Sequence, residues 1–217
     1  MDSLTATSPA DRMRHTVQPV LPQERLHIQL DEPLSDDAFW TFCQRNPDLR
    51  VEQTPNGTLL LMPPTGGSSG TRNLSIARYL DEWIEKEGGG FGFDSSTMFR
   101  LPNGAHRSPD AAWVQRERYR ALTPEERDGF VPLAPDFVVE LRSPSDNRAT
   151  LQDKMNEYIR AGVRLGWLID PQTETVTIYH EEGTNETLDQ PETVTAEAVV
   201  SGFSLPLQRI WNPLGDA

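Results

Sequence analysis

The feature that most constrains this chain is the run Phe137-Val138-Val139-Glu140-Leu141-Arg142. Three apolar residues precede the acid and one follows it, the pattern of a strand buried on both faces. Stripping water from a carboxylate is expensive, so a glutamate in such a strand calls for a partner or a ligand. Side chains alternate along a strand, which puts Glu140 and Arg142 on one face and Val139 and Leu141 on the other. An acid and a cation sharing one face of a core strand need a reason beyond packing.

A second acid lies upstream in Arg107-Ser108-Pro109-Asp110-Ala111-Ala112-Trp113-Val114. Pro109 suits the first position of a strand, where no ladder donor is lost, so Asp110 opens a strand over Ala111 to Val114. Downstream, Ser143-Pro144-Ser145-Asp146-Asn147 is a turn cluster rich in helix-capping side chains. The spacing of Leu151, Met155 and Ile159 predicts a helix over residues 149–161, with Gly162 placed to end it. Lys154 and Tyr158 sit four apart and project together. Leu165 to Asp170 then reads as another mostly apolar strand, stopped by Pro171.

The order Pro-Asp, an acid inside an apolar strand, then a helix bearing Lys-x-x-x-Tyr resembles the PD-(D/E)XK nuclease superfamily. The stretches "PPTGG", "FDSSTMFRLPNGAHRSPDAAWV", "PDFVVELRSPSD" and "KMNEYIRAGVRLGWLIDP" are similar, more closely, to the Uma-two family of restriction-endonuclease-like nucleases. The resemblance spans residues 34–180. It implies an α/β fold with a restriction-endonuclease-like core, a mixed β-sheet flanked by α-helices, and metal-dependent hydrolysis of phosphodiester bonds, with DNA the expected substrate. Enzymes of this fold that cut both strands commonly pair two sites, so a homodimer is expected.

In that framework Asp110 and Glu140 are the metal ligands, for Mg²⁺ or Mn²⁺, whose oxygen preference two carboxylates on neighbouring strands can serve. The superfamily places a lysine two residues after the strand acid, and here that position holds Arg142, which stays protonated and so can stabilise charge but not exchange a proton. Lys154 is the expected catalytic stand-in, since the chain has 18 Arg but only two Lys, Lys86 and Lys154. Arg107 and Arg142 are expected phosphate contacts, and Tyr158 is expected to orient the lysine. The first core helix of the superfamily often supplies a further acid, and Ser68 stands at the matching position.

Charge argues against the nucleic-acid partner. The formal balance is −13, distributed as −6 over residues 1–99, +1 over 100–164 and −8 over 165–217. Proteins that grip phosphates usually carry the opposite sign, although the segment bearing the site is near neutral. A catalytically inactive nuclease-fold protein acting as an interaction module is therefore the rival reading. One cysteine, Cys43, excludes an internal disulfide and fits a cytoplasmic location; its place on an apolar helix face suggests a small buried residue.

The remaining expectations concern the frame around the site. Residues 1–24 read as a flexible tail and 25–217 as one domain. Leu26 to Leu30 alternates like a short strand, and Pro55-Asn56-Gly57 turns a hairpin between Arg50–Gln53 and Thr58–Met62. A helix over residues 71–87 carries Leu74, Ala77, Leu80 and Ile84 as its core stripe, extended by Trp83. Its glycine-rich entry lacks the Lys-Ser/Thr of a nucleotide-binding loop. Asn73 is expected to cap or be solvated, with substrate positioning the alternative, Asp94 to bond Ser95 or Ser96, with reach into the site the alternative, and His106 to be exposed. Thr123-Pro124-Glu125-Glu126 reads as a capping box, and the acidic tail from Glu181 is expected to hold at most a further hairpin.

Overall fold

The computed structural model describes residues 26–215; the proposed tail falls outside them. The chain begins with β1 (Leu26–Gln29), α1 (Asp36–Arg45), β2 (Arg50–Gln53), β3 (Thr58–Met62) and α2 (Gly67–Glu87). It continues through β4 (Gly90–Asp94), β5 (Phe99–Arg100), β6 (His106–Arg107), β7 (Ala111–Gln115), α3 (Arg116–Arg120) and α4 (Pro124–Asp128). The central strands and helix follow as β8 (Phe137–Leu141), α5 (Arg148–Arg160), β9 (Leu165–Asp170) and β10 (Thr175–His180). The chain closes with β11 (Asn185–Asp189), β12 (Thr193–Thr195), β13 (Ser204–Pro206) and α6 (Gln208–Trp211).

Six strands form the central sheet in the order β11-β10-β9-β8-β7-β4. Only β8 and β9 run parallel in it, joined by the crossover helix α5, and the other pairs are antiparallel. This is the mixed sheet that the sequence predicts. Alternation divides its residues cleanly. Phe137, Val139 and Leu141 of β8 and Trp167 of β9 pack with Ile76 and Leu80 of α2 and with Phe203. Val138 and Leu168 face the other way, onto Leu151, Met155 and Tyr158 of α5. The two long helices therefore cover opposite faces, and Glu140 falls on the α5 side.

A second sheet, β1-β3-β2-β6-β5, lies beside the first and holds Phe39 of α1 against Val51 and Leu59. Its β2–β3 hairpin turns at Gly57, whose φ of 82° is costly for any residue with a Cβ; a Cβ there would also meet the Pro33 nitrogen at 2.9 Å. Helix α5 starts where Asn147 accepts from the Ala149 and Thr150 amides. The capping box at Thr123 forms as read, with Glu126 answering the Thr123 amide.

Four expectations are corrected. Helix α2 begins at Gly67, a turn before residue 71, and Leu74 is 70% exposed rather than in the core stripe. At about 100° per residue, Leu74 lies roughly 160° around the helix from Ile76, and it is Ile76 with Leu80 that meets the tryptophan-rich face. His106 is buried, not exposed: its ring lies 4.7 Å from that of Phe39, and Nε2 is 3.2 Å from Asp36 Oδ1. Burial pushes its pKa down despite the nearby Asp36. The tail after Glu181 holds more than one hairpin, since β11 extends the main sheet while β12 and β13 pair separately.

Candidate active site

Asp110 immediately precedes β7, and the register Ala111↔Val139 carried one step further sets it opposite Glu140. Its carboxylate is fixed from two sides: Oδ2 accepts from the Leu141 amide at 2.8 Å and Oδ1 from Asn73 Nδ2 at 2.9 Å. Asn73 thus holds Asp110 rather than capping a helix, and its own Oδ1 is a buried oxygen with no hydrogen-bond partner. The two strands and α2 converge on a cleft of about 400 Å³, lined among others by Ser68, Asn73, Asp110, Glu140, Ser143 and Lys154.

Glu140 is buried, and two groups of α5 reach its Oε1. Tyr158 donates its hydroxyl at 3.0 Å, and Lys154 Nζ lies at 2.8 Å. Tyr158 therefore fixes the acid rather than hydrogen-bonding the lysine. Lys154 Nζ also donates to Glu52 Oε1, at 2.9 Å. Glu52 sits on β2, fully buried, and also accepts from the Ser108 amide at 3.0 Å and from Arg107 Nη1 at 3.0 Å. Arg107 in turn donates to Glu157 Oε2 from Nε at 2.8 Å and Nη2 at 2.5 Å.

The electrostatics separate the acids. Burial by itself would raise the Glu52 pKa, but Lys154 and Arg107 outweigh it and bring the group down to about 2. Glu140 shares one cation and faces Asp110 and Glu52, so burial with those neighbours pushes it up to about 7 despite Lys154. Burial likewise raises Asp110, against the bond from Leu141. Burial would lower Lys154, yet Glu140 and Glu52 raise it above its ordinary value, and it is a fixed cation at neutral pH. Tyr158 is pushed well up by burial and by Glu140.

Asp110, Glu140, Lys154 and Tyr158 are thus brought together, with Tyr158 on the acid and not on the lysine. The two arginines are engaged elsewhere: Arg107 in the Glu52–Glu157 network, and Arg142 with Asp170 Oδ2 at 2.8 Å and the Asp146 carbonyl at 3.3 Å. Asp94 accepts from Ser96 as expected. Glu52 was not singled out by sequence. Its strand Arg-Val-Glu-Gln is polar and carries no signal like that of Glu140, and its partner Lys154 lies 102 residues away.

The residues fit a hard divalent cation. Asp110 and Glu140 face each other across adjacent strands, and the unpartnered Asn73 Oδ1 beside them is an acceptor awaiting a donor or a cation. No group of three or more His, Cys, Asp or Glu side chains poised for a metal occurs among the described residues. Two carboxylates with oxygens from water and substrate are what Mg²⁺ tolerates.

The architecture is that of a nuclease-like α/β fold. It is similar to a crystal structure described as "a putative nuclease belonging to DUF820", from Anabaena variabilis, with a TM-score of 0.68 at 20% identity; the match covers 82% of this chain and 98% of that one. At that identity the likeness establishes the fold. The profile of the Uma2 family, described as "Putative restriction endonuclease", matches residues 36–208, and the chain belongs to that family. No curated protein matches it. No helix among the described residues is long and apolar enough to cross a membrane.

Proposed function

We propose that this protein is an endonuclease that hydrolyses phosphodiester bonds of DNA with a divalent cation, Mg²⁺ or Mn²⁺, held by Asp110 and Glu140. The observation that carries this reading is the convergence of those two carboxylates and a buried lysine on one cleft. When bound, the cation supplies an activated water and stabilises charge developing on phosphorus. The Leu141 amide and Asn73 hold Asp110 in place, and Tyr158 holds Glu140. Asn73 Oδ1 offers a third oxygen from α2, the element on which Ser68 brings no acid.

Lys154 is charged, buried and at the cleft wall, so it serves as an electrostatic donor to a phosphoryl or leaving oxygen rather than as a base. Arg107 and Arg142 are assigned to holding the walls, because their guanidinium groups already serve carboxylates. The excess negative charge, −13 overall, favours a protein that meets DNA through a localised site rather than a broad basic face. The same charge supports the rival, an inactive interaction module. Against the rival stands the fully assembled Asp110–Glu140–Lys154 cluster.

A crystal soaked in millimolar Mn²⁺ tests the site. One ion bound by both Asp110 and Glu140 at about 2.0–2.2 Å is expected, distances of the octahedral oxygen class. Carboxylates that stay metal-free under those conditions count against the enzyme. Cutting both strands takes two such sites, which is the basis for proposing a homodimer. Light scattering should give twice the 24.4 kDa chain mass, and the monomer mass over a wide concentration range overturns that assembly.

A further inference from the structure

The cleft residues do not include Glu52, which lies behind Lys154 and lines a separate hollow of about 670 Å³ with Arg107 and Glu157. A group so placed does not touch a substrate in the cleft. Its geometry nevertheless centres on the one buried lysine.

We propose that Glu52 is a positioning residue: it holds the Lys154 ammonium at the cleft wall and so leaves the Glu140 carboxylate available to a cation. Three observations carry this. First, the Lys154 ammonium is shared, 2.9 Å from Glu52 Oε1 and 2.8 Å from Glu140 Oε1, so Glu52 gives it an anchor that does not depend on Glu140. Second, Glu52 is itself immobilised by donors from other elements. Its Oε1 is shared with the Ser108 amide, and its Oε2 takes Arg107, which is braced by Glu157, which in turn accepts from Asn103 Nδ2 at 2.9 Å. Third, this chain of bonds joins β2 and β6 of the smaller sheet to α5, so the smaller sheet serves as the mount of the lysine. A lysine on a helix has a long flexible stem, and an anchoring acid on another element removes that freedom.

The inference rests on the nuclease reading only for what the lysine does, and its test does not need cleavage. The chain contains two lysines, so ¹⁵N-lysine labelling yields two side-chain signals, assigned with Lys86→Arg. In metal-free wild-type protein at fixed neutral pH, the Lys154 ammonium protons should exchange slowly with water. Glu52→Gln should speed that exchange about 10–100-fold, the equilibrium weight of a hydrogen bond to a charged group. Glu140→Gln removes the other contact but leaves Glu52 braced by Ser108 and Arg107, and should change it less. Glu52→Asp keeps the charge one methylene short and should fall between wild type and Glu52→Gln. It also carries the comparison if Glu52→Gln does not fold by circular dichroism.

In cleavage assays Glu52→Gln should lower kcat while leaving KM near the wild-type value, with Glu52→Asp partly restoring it. Fast exchange in Glu140→Gln with retained protection in Glu52→Gln overturns the proposal, and so does an equal loss in both. A wild-type protein that shows the protected lysine but cuts no DNA fells the nuclease reading and leaves the positioning of Lys154 standing.

Discussion

Lys154→Ala is expected to cut DNA about 10²–10³-fold more slowly than the wild-type protein while still binding the divalent cation, the range for losing one preorganised transition-state donor. The separation follows from geometry. Lys154 lies at the cleft wall and contacts Glu140 at Oε1, whereas Asp110 is held by Leu141 and Asn73 without it. Lys154→Arg should rescue poorly, because a planar guanidinium does not fit a pocket built around one ammonium between Glu52 and Glu140. Arg142→Ala should cost less, since its guanidinium is bound to Asp170 and lies outside the Glu140 cluster. Steady-state cleavage and calorimetric cation titrations on the same preparations separate these effects. A Lys154→Ala protein at wild-type rate beside an inactive Arg142→Ala would transfer the role to the strand arginine.

Glu52→Ala should destabilise the fold by about 3–5 kcal/mol, the usual cost of removing one partner of a buried ion pair. It strips Lys154 and Arg107 of a fully buried counter-ion and leaves the Ser108 amide without its acceptor. The direction with pH is also fixed. Glu52 is held at about 2 in the folded protein against an ordinary value of 4.5. Its contribution is complete above pH 4.5 and is lost as the pH falls from there toward 2. Urea unfolding at several pH values should therefore show a wild-type loss of stability on acidification that Glu52→Gln lacks in part. A Glu52→Ala protein as stable as wild type at pH 7 contradicts the assigned network.

Much of the candidate site was legible because its signals are local. Glu140 stands out since an acid interrupts an apolar run, and the Pro109-Asp110 start of β7 fixes the second acid before any pairing is known. Lys154 could be placed because α5 has a clear cap at Asn147 and a stripe of Leu151 and Met155. The fold class followed from the same strands and helices. What stayed hidden depends on docking between distant segments. Glu52 lies on a polar four-residue strand and acquires meaning only when the smaller sheet meets α5. Arg107 is the same case: a cation beside Pro-Asp looks like a phosphate ligand until Glu52 and Glu157 surround it. Asn73 and Leu74 turned on helix rotation, because Leu80 and Ile84 fit more than one stripe and only the packed sheet face decides among them.

The most direct test of the central claim is cleavage of plasmid DNA by wild-type protein and Glu140→Gln, purified identically and assayed in Mg²⁺, in Mn²⁺ and in chelator. The substitution keeps volume and removes charge, so it isolates the carboxylate. Wild-type cleavage that requires the cation, with none from Glu140→Gln under any condition, is the result predicted here. Equal cleavage by both proteins, or none by a wild-type protein shown to be folded and metal-loaded, contradicts the assignment of this cleft as a nuclease active site.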